Sequence, residues 1–332
     1  MISKRTWTKG LLAAGLAFSM STTAIAERTV LGGNPPGSLF NSIANALGTV
    51  VTQNSSLTVD VLPQGGTVYY PMMITGEVDF GLVNPFDAEA AYRGLPPYGD
   101  SLTSRGFKVS TVLIGKAINI SFITTKDSGI ETIQDLKGKR VVIDYGAFAS
   151  SSLSAEALLA TAGLTKDDVI AVTVGSYPQG VKAVQEGRAV AAVGSLGSGV
   201  IQELDATRGA RFLSVENTPE ATKRARQFGS SWEIAPVKPG IPGVETPINA
   251  IAYGVPVLAR TDLSNEYVTT FLDTVWNHHD KLPGVFGWMR GWTPDKFVSE
   301  ATSIPYHPAA IAYFKDKGVW TPEMDQVQAA LQ

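Results

Sequence analysis

The stretch Gly76-Glu77-Val78-Asp79-Phe80-Gly81-Leu82-Val83 reads as a glycine stop after a helix, a charged residue, then a buried strand. Gly187-Arg188-Ala189-Val190-Ala191-Ala192-Val193 has the same order, at an offset of about 112 residues that the surrounding elements share. Before the first copy lie a strand Thr29–Gly32, a loop 33–37, a helix Ser38–Val51 with Leu39, Ile43, Ala46, Leu47 and Val50 on one face, a strand Leu57–Leu62, and a loop 64–67 opening a short helix that ends near Thr75. Before the second lie a strand Arg140–Asp144, a loop 145–149, a helix carrying Leu153, Ala157, Leu158 and Ala160 that stops near Gly163, a strand Ile170–Val174, and a loop 175–178 opening a helix to Glu186. Apolar strands alternating with helices predict an α/β fold of mostly parallel sheets covered on both faces.

Two copies of one half-unit predict two lobes. Strand-like runs Ala117–Thr125 and Ile248–Leu258 flank the second copy. The expected division is therefore a discontinuous first lobe, 27–118 plus 253–332, and an inserted second lobe, 119–252, joined by two crossing segments that act as a hinge. The last 80 residues read as helical: Asp262 or Ser264 caps a helix bearing Tyr267, Val268, Phe271, Leu272, Val275 and Trp276, and further helices are expected at Pro294–Ala301 and Pro308–Asp316.

The first 26 residues have another character. Lys4, Arg5 and Lys9 precede an apolar run Leu11–Met20, and Ala24-Ile25-Ala26 fits an A-x-A cleavage site. The run is too short to span a bilayer, so a cleaved export signal, a periplasmic location and no membrane insertion afterwards are expected. Removing it leaves 306 residues and a formal net charge of −6, which argues against nucleic acid as a partner. With no cysteine in the chain, the core is held by burial and not by disulfides.

Ligands of open α/β sheets sit beyond the carboxyl ends of the strands. Five loops qualify, and they nominate Asn34, Ser38 and Leu39; Gln64, Gly66 and Thr67; Asn84 and Phe86; Tyr145, Phe148, Ala149, Ser150 and Ser151; and Ser195. Several loops lead into helices, whose free N–H groups favour an anion. Tyr69, Tyr70 and Trp232 are further aromatic candidates for the wall, and Arg93 and Lys116 are candidate charge partners. Catalytic readings are poor: His278 and His279 diverge by about 100° on a helix, His307 is far away in sequence, and no G-x-S-x-G elbow is present. No catalytic residue, metal or cofactor is expected, and the first-choice ligand is a small organic acid or amino acid.

Several segments resemble the TAXI-type solute receptors of TRAP transporters. They are Lys126-Asp127-Ser128-Gly129-Ile130 with Asp135-Leu136-Lys137-Gly138-Lys139-Arg140-Val141, the run Gln64–Asn84, and above all Ile304-Pro305-Tyr306-His307-Pro308-Ala309-Ala310-Ile311-Ala312-Tyr313-Phe314. The resemblance implies a type II periplasmic-binding-protein fold and a receptor that passes its solute to an ion-gradient-driven TRAP permease. An ABC-type transporter is the alternative, and an enzyme on the same fold a more distant one. The binding loops depart from the family pattern: Leu39 stands for an aromatic, Asn41 for a proline, Thr67-Val68-Tyr69-Tyr70 for a Gly-Gly-Ser-Glu-Asn type loop, Asn84-Pro85 for Gln-Ser, and Tyr145-Gly146-Ala147-Phe148-Ala149-Ser150 for a Gly/Pro/Ser loop. The added aromatics suit a ligand with an apolar or ring portion.

Overall fold

The computed structural model describes residues 27–96, 98–99, 106–146 and 148–332. The export signal assigned to residues 1–26 and the loop residue Ala147 lie outside the described residues. Among them no helix is long and apolar enough to cross a membrane.

The chain begins β1 (Glu27–Gly32), α1 (Leu39–Asn54), β2 (Leu57–Leu62), α2 (Gly66–Thr75), β3 (Phe80–Leu82) and α3 (Pro85–Arg93). Strands β1, β2 and β3 pair in parallel, with β1 in the middle. A 17-residue strand, β4 (Val109–Thr125), then leaves this lobe for the other. There follow β5 (Arg140–Asp144), α4 (Ala149–Thr161), β6 (Ile170–Thr173), α5 (Tyr177–Gln185), β7 (Ala192–Ser195), α6 (Gly199–Arg208), β8 (Ala210–Phe212), α7 (Pro219–Ala225) and β9 (Glu233–Val237). The return strand is β10 (Ile248–Arg260), followed by α8 (Asn265–Asn277), α9 (Leu282–Val285), α10 (Pro308–Asp316) and α11 (Pro322–Leu331).

The sheets are mixed, which corrects the expectation of mostly parallel sheets. Within each half-unit the pairing is parallel, β1 with β2 and β3, and β5 with β6. The antiparallel ladders all involve the two crossing strands: β10 pairs with β3, β4 and β9, and β4 also pairs with β7 and β8. One strand goes out and one comes back, so they must run antiparallel to each other. The run expected at Ala117–Thr125 begins eight residues earlier because Val109–Gly115 is buried in the first lobe; β4 comes to the surface at Lys116 and Ala117, between the lobes. Opposite that point the β4–β10 register shifts between Tyr253 and Val255. Glycine is required on both strands there. A methyl group at Gly115 would fall 2.2 Å from the Trp292 ring, and one at Gly254 would fall 2.5 Å from Ile114.

The repeated glycine-charge pair is a helix end. Gly76 (φ 79°) closes α2, and the N–H groups of Glu77 and Val78 both donate to the Met72 carbonyl, at 2.9 and 3.2 Å. In the second lobe Gly187 (φ 73°) follows α5, and the N–H groups of Arg188 and Ala189 both donate to the Ala183 carbonyl, at 2.8 and 3.1 Å. These bonds consume the N–H groups that a strand from Glu77 would need, so β3 starts only at Phe80, and β7 is likewise displaced from the expected Ala189–Val193 to Ala192–Ser195.

In the C-terminal part, Ser264 is the residue that caps α8, and α8 lays Phe271 on Phe80 with ring centroids 4.5 Å apart. The helix expected over Pro294–Ala301 is reduced to one 3₁₀ turn, Pro294–Lys296. There the Ser299 N–H donates to the Tyr306 hydroxyl at 2.9 Å and the Ala301 N–H to the Ser299 hydroxyl at 3.2 Å, so side chains replace the helical acceptors.

Candidate functional site

A partly enclosed cleft lies where the two lobes face each other. The first lobe supplies Asn34, Pro35, Ser38, Leu39, Phe40 and Asn84; the crossing strands supply Ile120 and Tyr253; the second lobe supplies Phe148, Ser150, Ser151, Ser154, Tyr177, Val193 and Ser195. None of these is basic.

In the first lobe, the Gly33 N–H donates to the Leu62 carbonyl and the Asn34 N–H to the Gln64 carbonyl, at 2.9 and 3.0 Å, tying the ends of β1 and β2 together. Asn34 has φ 57°, a left-handed conformation that asparagine tolerates better than most residues. The Ser38 hydroxyl donates to the Pro35 carbonyl at 2.7 Å and accepts from the Asn41 N–H at 3.2 Å, which caps α1. Asn84 caps α3 by accepting from the Phe86 N–H at 2.9 Å. This wall is polar, but its caps are already engaged.

The second wall differs. Helix α4 starts after Phe148 without a capping side chain, and its first turns put Ser150, Ser151 and Ser154 on the cleft. The Ser154 hydroxyl donates to the Ser150 carbonyl at 2.7 Å, whereas the Ser151 hydroxyl makes no hydrogen bond among the described residues. Ser195, the last residue of β7, donates its N–H to the Tyr177 hydroxyl at 2.8 Å, and that hydroxyl is paired with Ser198 at 2.9 Å. Burial raises the Tyr177 and Tyr253 hydroxyls above the usual tyrosine range, so both stay neutral hydrogen-bonding groups.

The lobes touch around the cleft. The Val200 N–H, in the first turn of α6, donates to the Gly37 carbonyl at 3.3 Å. The Phe148 ring lies over Gly65, where a methyl group would fall 2.5 Å from it, and the Trp288 ring lies over Gly197, with a corresponding distance of 2.6 Å. The Ser230 hydroxyl donates to Glu89 at 3.2 Å.

Of the residues nominated from sequence, the cleft brings together Asn34, Ser38, Leu39, Asn84, Phe148, Ser150, Ser151 and Ser195. Six nominees do not line it. Gln64 is exposed and contributes only its carbonyl to Asn34. Gly66 is buried against Tyr70 and Tyr98, Thr67 lies half-buried in the first turn of α2, and Phe86 packs into the core. Tyr145 is fully buried, its hydroxyl accepting from the Val193 N–H at 2.8 Å, and Ala149 opens α4 without facing the cleft. Tyr69 and Tyr70 are also core residues, and Trp232 stacks behind Tyr253 with ring centroids 6.0 Å apart. The two candidate charge partners are engaged elsewhere: Arg93 pairs with Glu89 at 3.3 Å on the surface, and Lys116 lies 4.4 Å from the Trp288 ring centroid and donates to the Trp288 carbonyl at 3.2 Å. Burial and the nearby Lys296 lower the Lys116 ammonium below its ordinary range.

Ile120, Val193, Tyr177 and Tyr253 escape a reading of the sequence, because apolar and aromatic residues on or beside central strands read as core. Asp87 escapes it too. Three residues after the Asn84 cap, it reads as an ordinary acidic residue in a first helical turn. It is instead buried and accepts from the Tyr98 hydroxyl at 3.0 Å, and burial pushes its carboxyl up to about 6. Among the described residues no group of three or more His, Asp or Glu side chains is placed to hold a metal ion.

Residues 31–318 match the model of the NMT1-like family, and the chain belongs to that family. Its two-lobed architecture is that of periplasmic binding proteins, seen in three solved structures of low sequence identity. A structure described as a periplasmic transporter is 15% identical with a TM-score of 0.55, the match covering 92% of this chain and 95% of that one. PhnD1 of Prochlorococcus marinus in complex with methylphosphonate is 12% identical with a TM-score of 0.52, covering 89% and 100%. A binding-protein component of an ABC phosphonate transporter from Pseudomonas aeruginosa is 15% identical with a TM-score of 0.51, covering 92% and 97%.

Proposed function

Starting from a chain of the NMT1-like family, we propose that it is an exported solute receptor, not an enzyme, which closes its lobes on a small organic anion and delivers it to a membrane transporter. We put the lobe division at about residues 118 and 253, a reading supported by the exposure of β4 at Lys116 and Ala117 and by the nearby shift in β4–β10 register. The observation that carries the reading is the uncapped start of α4, with the Ser151 hydroxyl, facing a preformed polar wall across a cleft whose described lining holds no basic side chain. Helix N-termini and hydroxyls hold an anion without a counter-ion. Leu39, Phe40, Ile120, Phe148 and Val193 give the same cleft an apolar side, which suits a carboxylate or amino acid with an apolar or ring portion.

For the transporter we favour the ABC type, supported by the likeness to the Pseudomonas aeruginosa protein, itself a component of an ABC phosphonate transporter. The TRAP reading rests mainly on Ile304–Phe314. That segment is largely core: Ile304, Tyr306, His307, Ala310 and Phe314 are buried, and Tyr306 forms a parallel bridge with Thr111 on β4. Such residues mark how a lobe packs and say little about which membrane subunit the surface meets.

A thermal-shift screen of organic acids, amino acids and other small anions tests the receptor reading, because a ligand that binds only the folded state raises the melting temperature. We expect at least one anion to stabilise the protein, unaltered after incubation. Stabilisation by cations or neutral sugars only, or conversion of the bound compound, contradicts it. Receptor-dependent uptake into spheroplasts that stops on ATP depletion but survives an uncoupler selects the ABC type; the reverse pattern selects TRAP.

A further inference from the structure

Asp87 stands directly behind the cleft wall. It lies in the first turn of α3, whose cap Asn84 lines the cleft, and the Ser150 hydroxyl of the opposite lobe is turned toward it. It makes no ion pair among the described residues, and the Tyr98 hydroxyl that donates to it is neutral. The other titratable groups that feel its charge are Tyr69 and Tyr70 on α2 and Tyr253 on β10, all kept neutral by burial. Among the described residues that line or back the cleft, the formal charge is thus a carboxylate that no basic side chain of the wall offsets.

We propose that Asp87 is a charge filter: its buried carboxylate behind Asn84 and Ser150 makes the cleft accept ligands bearing a single negative charge and reject dianions. The inference rests on the receptor reading above and sets its substrate class to monoanions and zwitterions. The α4 N-terminus and the cleft hydroxyls supply partial charges enough for one anionic group. Each added ligand charge meets the Asp87 field in a medium of low dielectric, so a second charge costs about a further tenfold or more in affinity. Asp87 touches the ligand only through Ser150 and the Asn84 end of α3, so it is a positioning residue.

The test uses two tetrahedral anions whose charges do not change between pH 5 and 8, methanesulfonate with one charge and sulfate with two. Their affinities are measured by titration calorimetry on the full protein and on Asp87→Asn, at pH 5 and pH 8. At pH 8 the wild type should bind methanesulfonate at least tenfold more tightly than sulfate. Asp87→Asn should narrow that ratio several-fold, and lowering the pH to 5, which neutralises Asp87 without any mutation, should narrow it in the wild type but not in the variant. Equal ratios in both proteins at both pH values overturn the filter while leaving the receptor intact. If neither protein binds either anion, or any carboxylate of the screen, the anion reading falls and the filter falls with it.

Discussion

The two walls of the cleft are made by the same half-unit and are finished differently. On the first-lobe side α1 and α3 carry their own caps, Ser38 and Asn84, whose oxygens are already occupied by backbone N–H groups. On the second-lobe side α4 begins without a side-chain cap and shows serines to the cleft. A helix start that satisfies itself contributes rigidity, and one that does not is left with donors for something else. On the proposed reading the first wall supplies fold stability and the second ligand affinity, with Asp87 as a destabilising charge kept behind the first.

The sharpest challenge is to Asp87. Its folded carboxyl titrates near 6 against an ordinary value of 3.8. A raised acidic pKa means that the folded state holds the proton more tightly than the unfolded chain does. The group therefore costs nothing below about pH 3.8 and its full penalty above about pH 6, up to roughly 3 kcal/mol. Denaturant melts of wild type and Asp87→Asn should show the variant gaining stability on the wild type as pH rises from 4 to 7; a pH-independent difference would mean that the carboxylate is not buried as a charge. Next comes the pair Ser151→Ala and Ser38→Ala. Loss of the Ser151 hydroxyl should weaken anion binding about tenfold with little change in stability, as for a hydrogen bond to a charged group. Loss of the Ser38 hydroxyl should cost about 1 kcal/mol in a denaturant melt, as for a helix cap, with a smaller effect on affinity. Exchanged outcomes would break the comparison. The smallest effect belongs to Arg93→Ala, which removes an exposed pair and should change stability by no more than about 0.5 kcal/mol and affinity by less than twofold.

Much of the architecture is readable from the sequence because the repeated element has a single physical cause. Gly76 and Gly187 each end a helix in a left-handed turn, and that demand survives in the sequence where little else of the half-unit does. The loops at strand ends are readable for a similar reason: Ser38, Asn84, Ser150 and Ser151 are polar where the chain turns into a helix. The crossing strands are harder. Apolar residues recur on both sides of Gly115-Lys116, so Val109–Thr125 reads as strand without marking a domain boundary, and Ile120 and Tyr253 look like any core residue until both lobes are in place. Aromatic loop residues mislead in the opposite direction. Tyr145 follows β5 and reads as a cleft residue, but its hydroxyl has a backbone partner in Val193, which allows the whole ring to be buried. The family-like segment Ile304–Phe314 reports lobe packing, which explains how it agrees with the fold without identifying the transporter.

On the proposed reading one anion is held between the uncapped start of α4 and the capped wall of the first lobe. A crystal structure of the protein with the most stabilising anion of the screen tests this most directly. We expect a single unreacted anion with its charged group at the N-terminus of α4 and the Ser151 hydroxyl and its remainder against Leu39, Phe40 and Phe148. An anion bound outside the cleft, or one in the cleft paired to a lysine or arginine that has moved in to meet it, would contradict it.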